Sequence, residues 1–215
     1  MEYKYLLFDL DGTLTNPHEG ITKSFQYALR HYGIEESLEN LNRVIGPPLT
    51  DSFMQFYGMD KSTALSAVEK YRERFAAIGI HENIIYPGIS EMLCELKKHG
   101  KIIALATSKP LVFAKKILAG FDIAQYFTVQ MGSELDGTRN KKSEVIAEII
   151  RILGNPPKSK ILMIGDRRQD IEGAKAEGIS SLGVRFGFAE QGELKQAGAD
   201  YIVDTVTELK KFLLR

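Results

Sequence analysis

The chain has no tryptophan, one cysteine and no excess of either charge, with 28 Lys+Arg against 28 Asp+Glu in 215 residues. Cys94 has no second cysteine to pair with, so an internal disulfide is excluded, which fits a reducing compartment. It stands among Met92, Leu93 and Leu96 at helical spacing and is read as a small apolar residue, not a nucleophile. The balanced charge argues against a nucleic-acid-binding surface, which would carry a basic excess. It does not exclude an anionic small molecule, because a local site can be charged while the whole is neutral. No apolar run approaches the about 18 residues of a membrane span, and only a short apolar stretch precedes Asp9. The expectation is a cytoplasmic protein without membrane or signal segment. Internal repeats and low-complexity tracts are absent, and His18, His31, His81 and His99 show no ligand spacing.

What is present is the composition of an ordinary globular protein, 44% hydrophobic and 26% charged. A chain of this length buries roughly 70% of its unfolded surface, so its core needs no disulfide or structural metal. Short apolar runs at residues 5–10, 102–106, 127–131, 161–164, 181–184 and 201–203 read as strands. Helical patterns at 111–118, 144–153, 171–177 and 205–214 alternate with them. Strand and helix in alternation predict an α/β fold, a doubly wound, mainly parallel, Rossmann-like sheet.

About ninety residues between the first two strands break that rhythm. Residues 22–32 carry Phe25, Ala28, Leu29 and Tyr32 on one face, and 61–78 carry Ala64, Leu65, Val68, Tyr71, Phe75 and Ile78. Turn residues flank the segment, with Asn16-Pro17 on entry and Pro87-Gly88 on exit. The pattern predicts a small all-helical domain at 16–83, inserted into an α/β domain made of 1–15 and 84–215. Gly46-Pro47-Pro48 marks a rigid loop between its helices, and the two crossings are suited to a hinge.

In an open parallel sheet, ligands bind beyond the carboxyl ends of the strands. Asp9-Leu10-Asp11-Gly12-Thr13 follows the first strand, and alternation sends both carboxylates to one side while Gly12 permits a tight turn. Thr107-Ser108-Lys109 follows the second, and Gly165-Asp166 with Asp170 follows the fourth. Lys141-Lys142 open the helix before that fourth strand. Each piece alone has a plain structural reading as a turn, a helix cap or solvated lysine. Together they place carboxylates, hydroxyls and lysines along one edge. Clustered carboxylates repel unless a cation joins them, and an all-oxygen set favours Mg²⁺. Hydroxyls, a lysine and a metal suit phosphate.

The order Asp-x-Asp-Gly-Thr, strand-end Thr, Lys, then Gly-Asp-x-x-x-Asp resembles the haloacid dehalogenase superfamily of phosphohydrolases. With a helical segment after the first motif, the chain is similar to the phosphoglycolate phosphatase-like branch, which carries a helical cap there. The resemblance implies Asp9 as nucleophile and metal ligand, and Asp11 as general acid and base with its carbonyl on the metal. It implies Thr107 and the backbone at Ser108 as phosphoryl ligands, with Gly12 in the phosphate-binding set. Lys142 would neutralise phosphate and nucleophile, with Lys141 as the alternative. Asp166 and Asp170 would complete a Mg²⁺ site, directly or through water. Ser143 replaces the proline that often follows the lysine, and Asn16 replaces a common aspartate in the hinge.

Asp11 argues against a dehalogenase, whose leaving group needs no proton. The EF-hand reading of Asp9-x-Asp fails for want of a third ligand and a later Glu. The implied activity is Mg²⁺-dependent hydrolysis of a small phosphorylated metabolite. Phosphoglycolate, pyrophosphate, sugar phosphates and nucleoside monophosphates remain open as substrates, as does the oligomeric state. A sugar-phosphate mutase with the same residues and a phospho-signalling module resembling a response-regulator receiver are the alternatives. Specificity is expected from the helical segment, with 46–49 as the candidate loop and Arg72 and Arg74 as solvated charges.

Overall fold

A computed structural model describes residues 2–215. The chain divides into two compact units, one of Met1–Asn16 with Ile85–Arg215 and one of Pro17–Ile84. Its strands are β1 (Tyr5–Phe8), β2 (Thr15–Asn16), β3 (Ile84–Ile85), β4 (Ile102–Pro110), β5 (Val129–Ser133), β6 (Ile161–Gly165), β7 (Ser180–Val184) and β8 (Tyr201–Val203). Its helices are α1 (His18–His31), α2 (Leu49–Tyr57), α3 (Lys61–Ala77), α4 (Ile89–Lys98), α5 (Leu111–Gly120), α6 (Lys142–Ile152), α7 (Arg168–Ala176), α8 (Glu193–Ala197) and α9 (Val206–Leu213).

Pro17–Ile84 is helical. Phe25 of α1 stacks on Phe53 of α2 with ring centroids 4.0 Å apart, and α3 contributes Ala64, Ala67, Val68, Tyr71 and Phe75 to the buried set. Asp60 starts α3 by accepting the Thr63 N–H at 2.8 Å. Leu65 and Ile78, expected on the buried face of this helix, are instead about half exposed, at 51% and 52%. The buried stripe 64, 67, 68, 71, 75 is narrow because most of it is one residue per turn, and Leu65 lies a step outside it. The helix α2 is an element the sequence does not announce. It is only nine residues long, begins directly after Pro47-Pro48, and has just Ser52 and Phe53 fully buried. Leu49, expected in the loop, is its first residue.

The other unit is the α/β domain. Its sheet has the order β5-β4-β1-β6-β7-β8, with every pairing parallel. Tyr5 stands level with Ile102 on one side and Ile161 on the other. The chain therefore winds outward from β1 in both directions, which opens a crevice at its carboxyl end. Leu7, Ala104, Met163 and Ile161 from the sheet pack with Val145, Ile146, Ile149 and Ile150 of α6 and Ala174 of α7. Burying these side chains contributes about 1.5–3 kcal/mol each for the larger ones, and it fixes where α6 begins. Cys94 is half-buried in α4.

Strand ends differ from the sequence expectation in an informative way. The strand β1 ends at Phe8 because Leu10 O accepts the N–H groups of Thr13, Leu14 and Thr15, turning the chain. The strand β4 runs on to Pro110 with a register break between Ala106 and Pro110. The strand β5 starts at Val129, two residues later than the apolar run, because a 3₁₀ turn at Ala124–Tyr126 ends at Phe127. Two-residue strands β2 and β3 stand where the chain leaves and re-enters the domain. Among the described residues, no helix is long and apolar enough to cross a membrane.

Close packing of α6 on α7 makes one stability prediction. A Cβ at Gly173 would lie 2.9 Å from Cβ and Cγ of Lys142 and 3.2 Å from the Ser143 nitrogen. Alanine gains about 0.5–1 kcal/mol over glycine in a helix, but overpacking costs about 1–3 kcal/mol. Gly173→Ala should therefore lower the urea midpoint of unfolding; an unchanged or raised midpoint contradicts this packing.

Candidate active site

The crevice at the carboxyl end of β1 collects residues from four strand ends. Asp9 leaves β1 with its N–H still bonded to Ile164 O at 2.9 Å, so β6 holds its backbone. Lys142, at the start of α6, is 6% exposed and donates from Nζ to Asp9 Oδ1 at 2.7 Å and Ala106 O at 2.8 Å. The same Nζ lies 2.8 Å from Asp170 Oδ1. Lys141 is the exposed residue just before the helix, and its side chain is not in this cluster.

Asp166 is fully buried, its two oxygens engaged from different parts of the chain. Thr13 Oγ1 donates to Oδ1 at 3.3 Å, and the Phe188 N–H donates to Oδ2 at 2.7 Å. Asp170 Oδ2 accepts the Arg167 N–H at 3.0 Å, so it caps α7 as well as pairing with Lys142. Asp9, Asp166 and Asp170 each offer an oxygen within 4.8 Å of the others.

Glycines make this crowding possible. A Cβ at Gly12 would sit 2.1 Å from Asp166 Oδ2, and Gly12 also has φ +86°, which favours glycine. A Cβ at Gly165 would sit 2.2 Å from Asp170 Cγ, and one at Gly187 would sit 2.4 Å from Asp166 Oδ2. Backbone thus approaches the carboxylates where no side chain fits.

Asp11 lies on the opposite flank. Its Oδ2 accepts from Lys109 Nζ at 2.5 Å, while its Oδ1 is buried without a hydrogen-bond partner. Thr107 is 2% exposed and its Oγ1 accepts the Lys109 N–H at 3.2 Å. Ser108 O accepts from Ser133 Oγ at 2.8 Å, which ties the irregular end of β4 to β5.

Burial sets the protonation tendencies. It pushes Asp166 well above the usual carboxylate range, and the charges of Asp170 and Asp9 push the same way. Burial also raises Asp170 against the opposing pull of Lys142. For Lys142 burial opposes the charge, but Asp170 and Asp9 outweigh it and hold the ammonium above its ordinary range. Burial raises Asp11, with Lys109 opposing.

Three carboxylates with one lysine leave an excess of negative charge that a small dication would offset. The donor set is entirely oxygen, as Mg²⁺ prefers. The glycine cradle and the upward push on Asp166 both fit such an ion. Thr13, Lys109 and Phe188 had no assigned role from sequence. Thr13 was visible in the first motif, and Gly187 beyond β7 was the available signal for Phe188, whose contribution is a backbone N–H.

A family model described as haloacid dehalogenase-like hydrolase matches residues 6–184. A Pseudomonas aeruginosa protein named 5'-nucleotidase is 46% identical over 196 residues, covering 91% of this chain and 88% of its own length. A Mycobacterium tuberculosis protein named tyrosine-protein kinase PtkA is 34% identical over 211 residues, covering 97% of this chain and 72% of its own. The crystal structure of a protein described as a predicted phosphatase from Clostridium acetobutylicum superposes with a TM-score of 0.96 at 47% identity, covering 100% of this chain and 99% of that one. The chain belongs to the haloacid dehalogenase-like hydrolase family and is one of its phosphatases.

Proposed function

We propose that the chain hydrolyses a small phosphate monoester through an aspartyl-phosphate on Asp9, with Mg²⁺ held by Asp9, Asp166 and Asp170 and by the Asp11 carbonyl. The observation that carries this reading is the buried Lys142, whose Nζ contacts Asp9 and Asp170 at 2.7 and 2.8 Å with Asp166 in the same cluster. When bound, the dication neutralises these carboxylates and draws electron density from the phosphoryl oxygens.

In the first step an Asp9 oxygen attacks phosphorus, the ester P–O bond breaks, and Asp11 gives its proton to the departing alcohol oxygen. In the second, the Asp11 carboxylate takes a proton from water, whose oxygen attacks phosphorus. The Asp9–phosphorus bond breaks, Asp9 returns as carboxylate and inorganic phosphate leaves. Burial favours the protonated Asp11 that the first step needs, and Lys109 keeps its ionised form accessible for the second. Lys142, the Thr107 hydroxyl, the backbone at Ser108 and the turn at Gly12 bind the phosphoryl group and offset its charge.

The helical unit is read as the cap domain that selects the substrate. The name of the Pseudomonas aeruginosa relative, 5'-nucleotidase, supports taking nucleoside 5'-monophosphates as the first monoesters to test. A phosphate-release panel of nucleotides, phosphoglycolate, sugar phosphates and pyrophosphate, with and without Mg²⁺, tests both reaction and substrate. Isomerised sugar phosphate without free phosphate would instead indicate a mutase.

Asp9→Asn should leave the circular dichroism spectrum unchanged and lower phosphate release by at least about a thousandfold. Turnover at the wild-type rate would remove Asp9 as nucleophile. Mg²⁺ at a hundred times its Kd should stabilise the wild type by about 2.7 kcal/mol, seen as a rise in melting temperature that EDTA reverses. Asp166→Asn should abolish that rise, and a wild type insensitive to Mg²⁺ would sink the metal assignment.

A further inference from the structure

Asp166 lies where two distant stretches of chain meet. One is its own, running from β6 through Arg167 and Arg168 into α7. The other is the 185–192 loop between β7 and α8, which supplies the Phe188 N–H to Asp166 Oδ2 at 2.7 Å. Gly187 is pressed against the same carboxylate. A Cβ there would lie 2.4 Å from Asp166 Oδ2 and 2.4 Å from Gly12 O. The position of this loop therefore sets the direction of the Asp166 carboxylate.

The loop is itself tied down by Glu193, whose side chain is only 12% exposed. Its Oε2 accepts the Glu190 N–H at 2.9 Å, on the loop. Its Oε1 accepts the Arg168 N–H at 2.7 Å and Arg167 Nε at 3.0 Å, on the stretch that carries Asp166. One carboxylate thus joins the two stretches within two residues of Asp166 on one side and of Phe188 on the other. Burial opposes its charge, but the Arg168 and Glu190 N–H groups and the Arg167 guanidinium hold the carboxyl below its ordinary range.

We propose that Glu193 is a positioning residue for Asp166: its two oxygens lock the loop bearing Phe188 to the first turn of α7, and so orient Asp166 toward a divalent cation. The inference rests on the metal reading above. Glutamine at this position has the same shape but one acceptor oxygen and one NH₂ group. One of the two backbone N–H groups would then face a donor, and one side of the lock opens.

The test is calorimetric titration of Mg²⁺ alone into the full chain, for wild type, Glu193→Gln, Glu193→Asp and Asp166→Asn. Groups that orient a ligand from behind typically change metal affinity by about 10–100-fold. Glu193→Gln should raise the Mg²⁺ Kd by about tenfold. With p-nitrophenyl phosphate as substrate, its KM should be unchanged and its rate restored by added Mg²⁺. Glu193→Asp, which keeps the charge but shortens the reach, should fall between it and wild type. Should the Gln variant not fold, the Asp variant is judged on the same criterion. A lowered melting temperature with wild-type Mg²⁺ affinity would overturn the inference, since it marks a merely structural tie. Wild type that does not bind Mg²⁺ would overturn the metal reading together with this inference. Binding by wild type, loss in Asp166→Asn and no change at Glu193 would overturn this inference alone.

Discussion

The charge of a single buried ammonium organises the site. Lys142 Nζ reaches Asp9, Asp170 and the Ala106 carbonyl at once, from a side chain that solvent hardly touches. Losing one partner of a buried ion pair typically costs about 3–5 kcal/mol, because the remaining charge is stranded. Here two carboxylates would be stranded together. The need to keep them compensated explains why α6 must begin where it does, against the sheet and against α7. Its apolar residues Val145, Ile146, Ile149 and Ile150 seat the helix, and the lysine is the chemical product of that seating.

Around this charge the chain uses backbone where other sites use side chains. Three glycines let main chain lie against Asp166 and Asp170 at distances no Cβ permits. The same closeness gives Asp166 a backbone N–H as partner. A desolvated carboxylate cluster is costly without a counter-ion, so the arrangement is strained electrostatically and poised for one.

Much of this was legible in the sequence. Asp9, Asp11 and Asp166 stand just past strand ends and Asp170 in the first turn of the helix that follows, and a parallel sheet sends such residues to one edge. The choice between Lys141 and Lys142 needed the helix phase. At 100° per residue Lys142 shares a face with Val145, Ile146 and Ile149, whereas Lys141 turns away. Other features had no local signature. Lys109 and Asp11 are 98 residues apart, and nothing in either neighbourhood announces the other. Phe188 acts through its N–H, which every residue but proline owns. The helix α2 is too short for periodicity to declare it, and the start of β5 was decided by the 3₁₀ turn before it.

The position of β1 has a consequence for how the molecule is made. This strand precedes every other strand in chain order, yet it lies between β4 and β6. Its first neighbour emerges only after the whole helical unit, and its second only when the ribosome reaches Gly165. Until then the apolar run Leu6-Leu7-Phe8, wholly buried in the finished protein, has no sheet to join. Contacts so distant in sequence close slowly, because loop entropy is lost before pairing repays it. Pairing of β1 thus waits on strands made later, and a nascent chain must shield it while the helical unit between β1 and β4 is made.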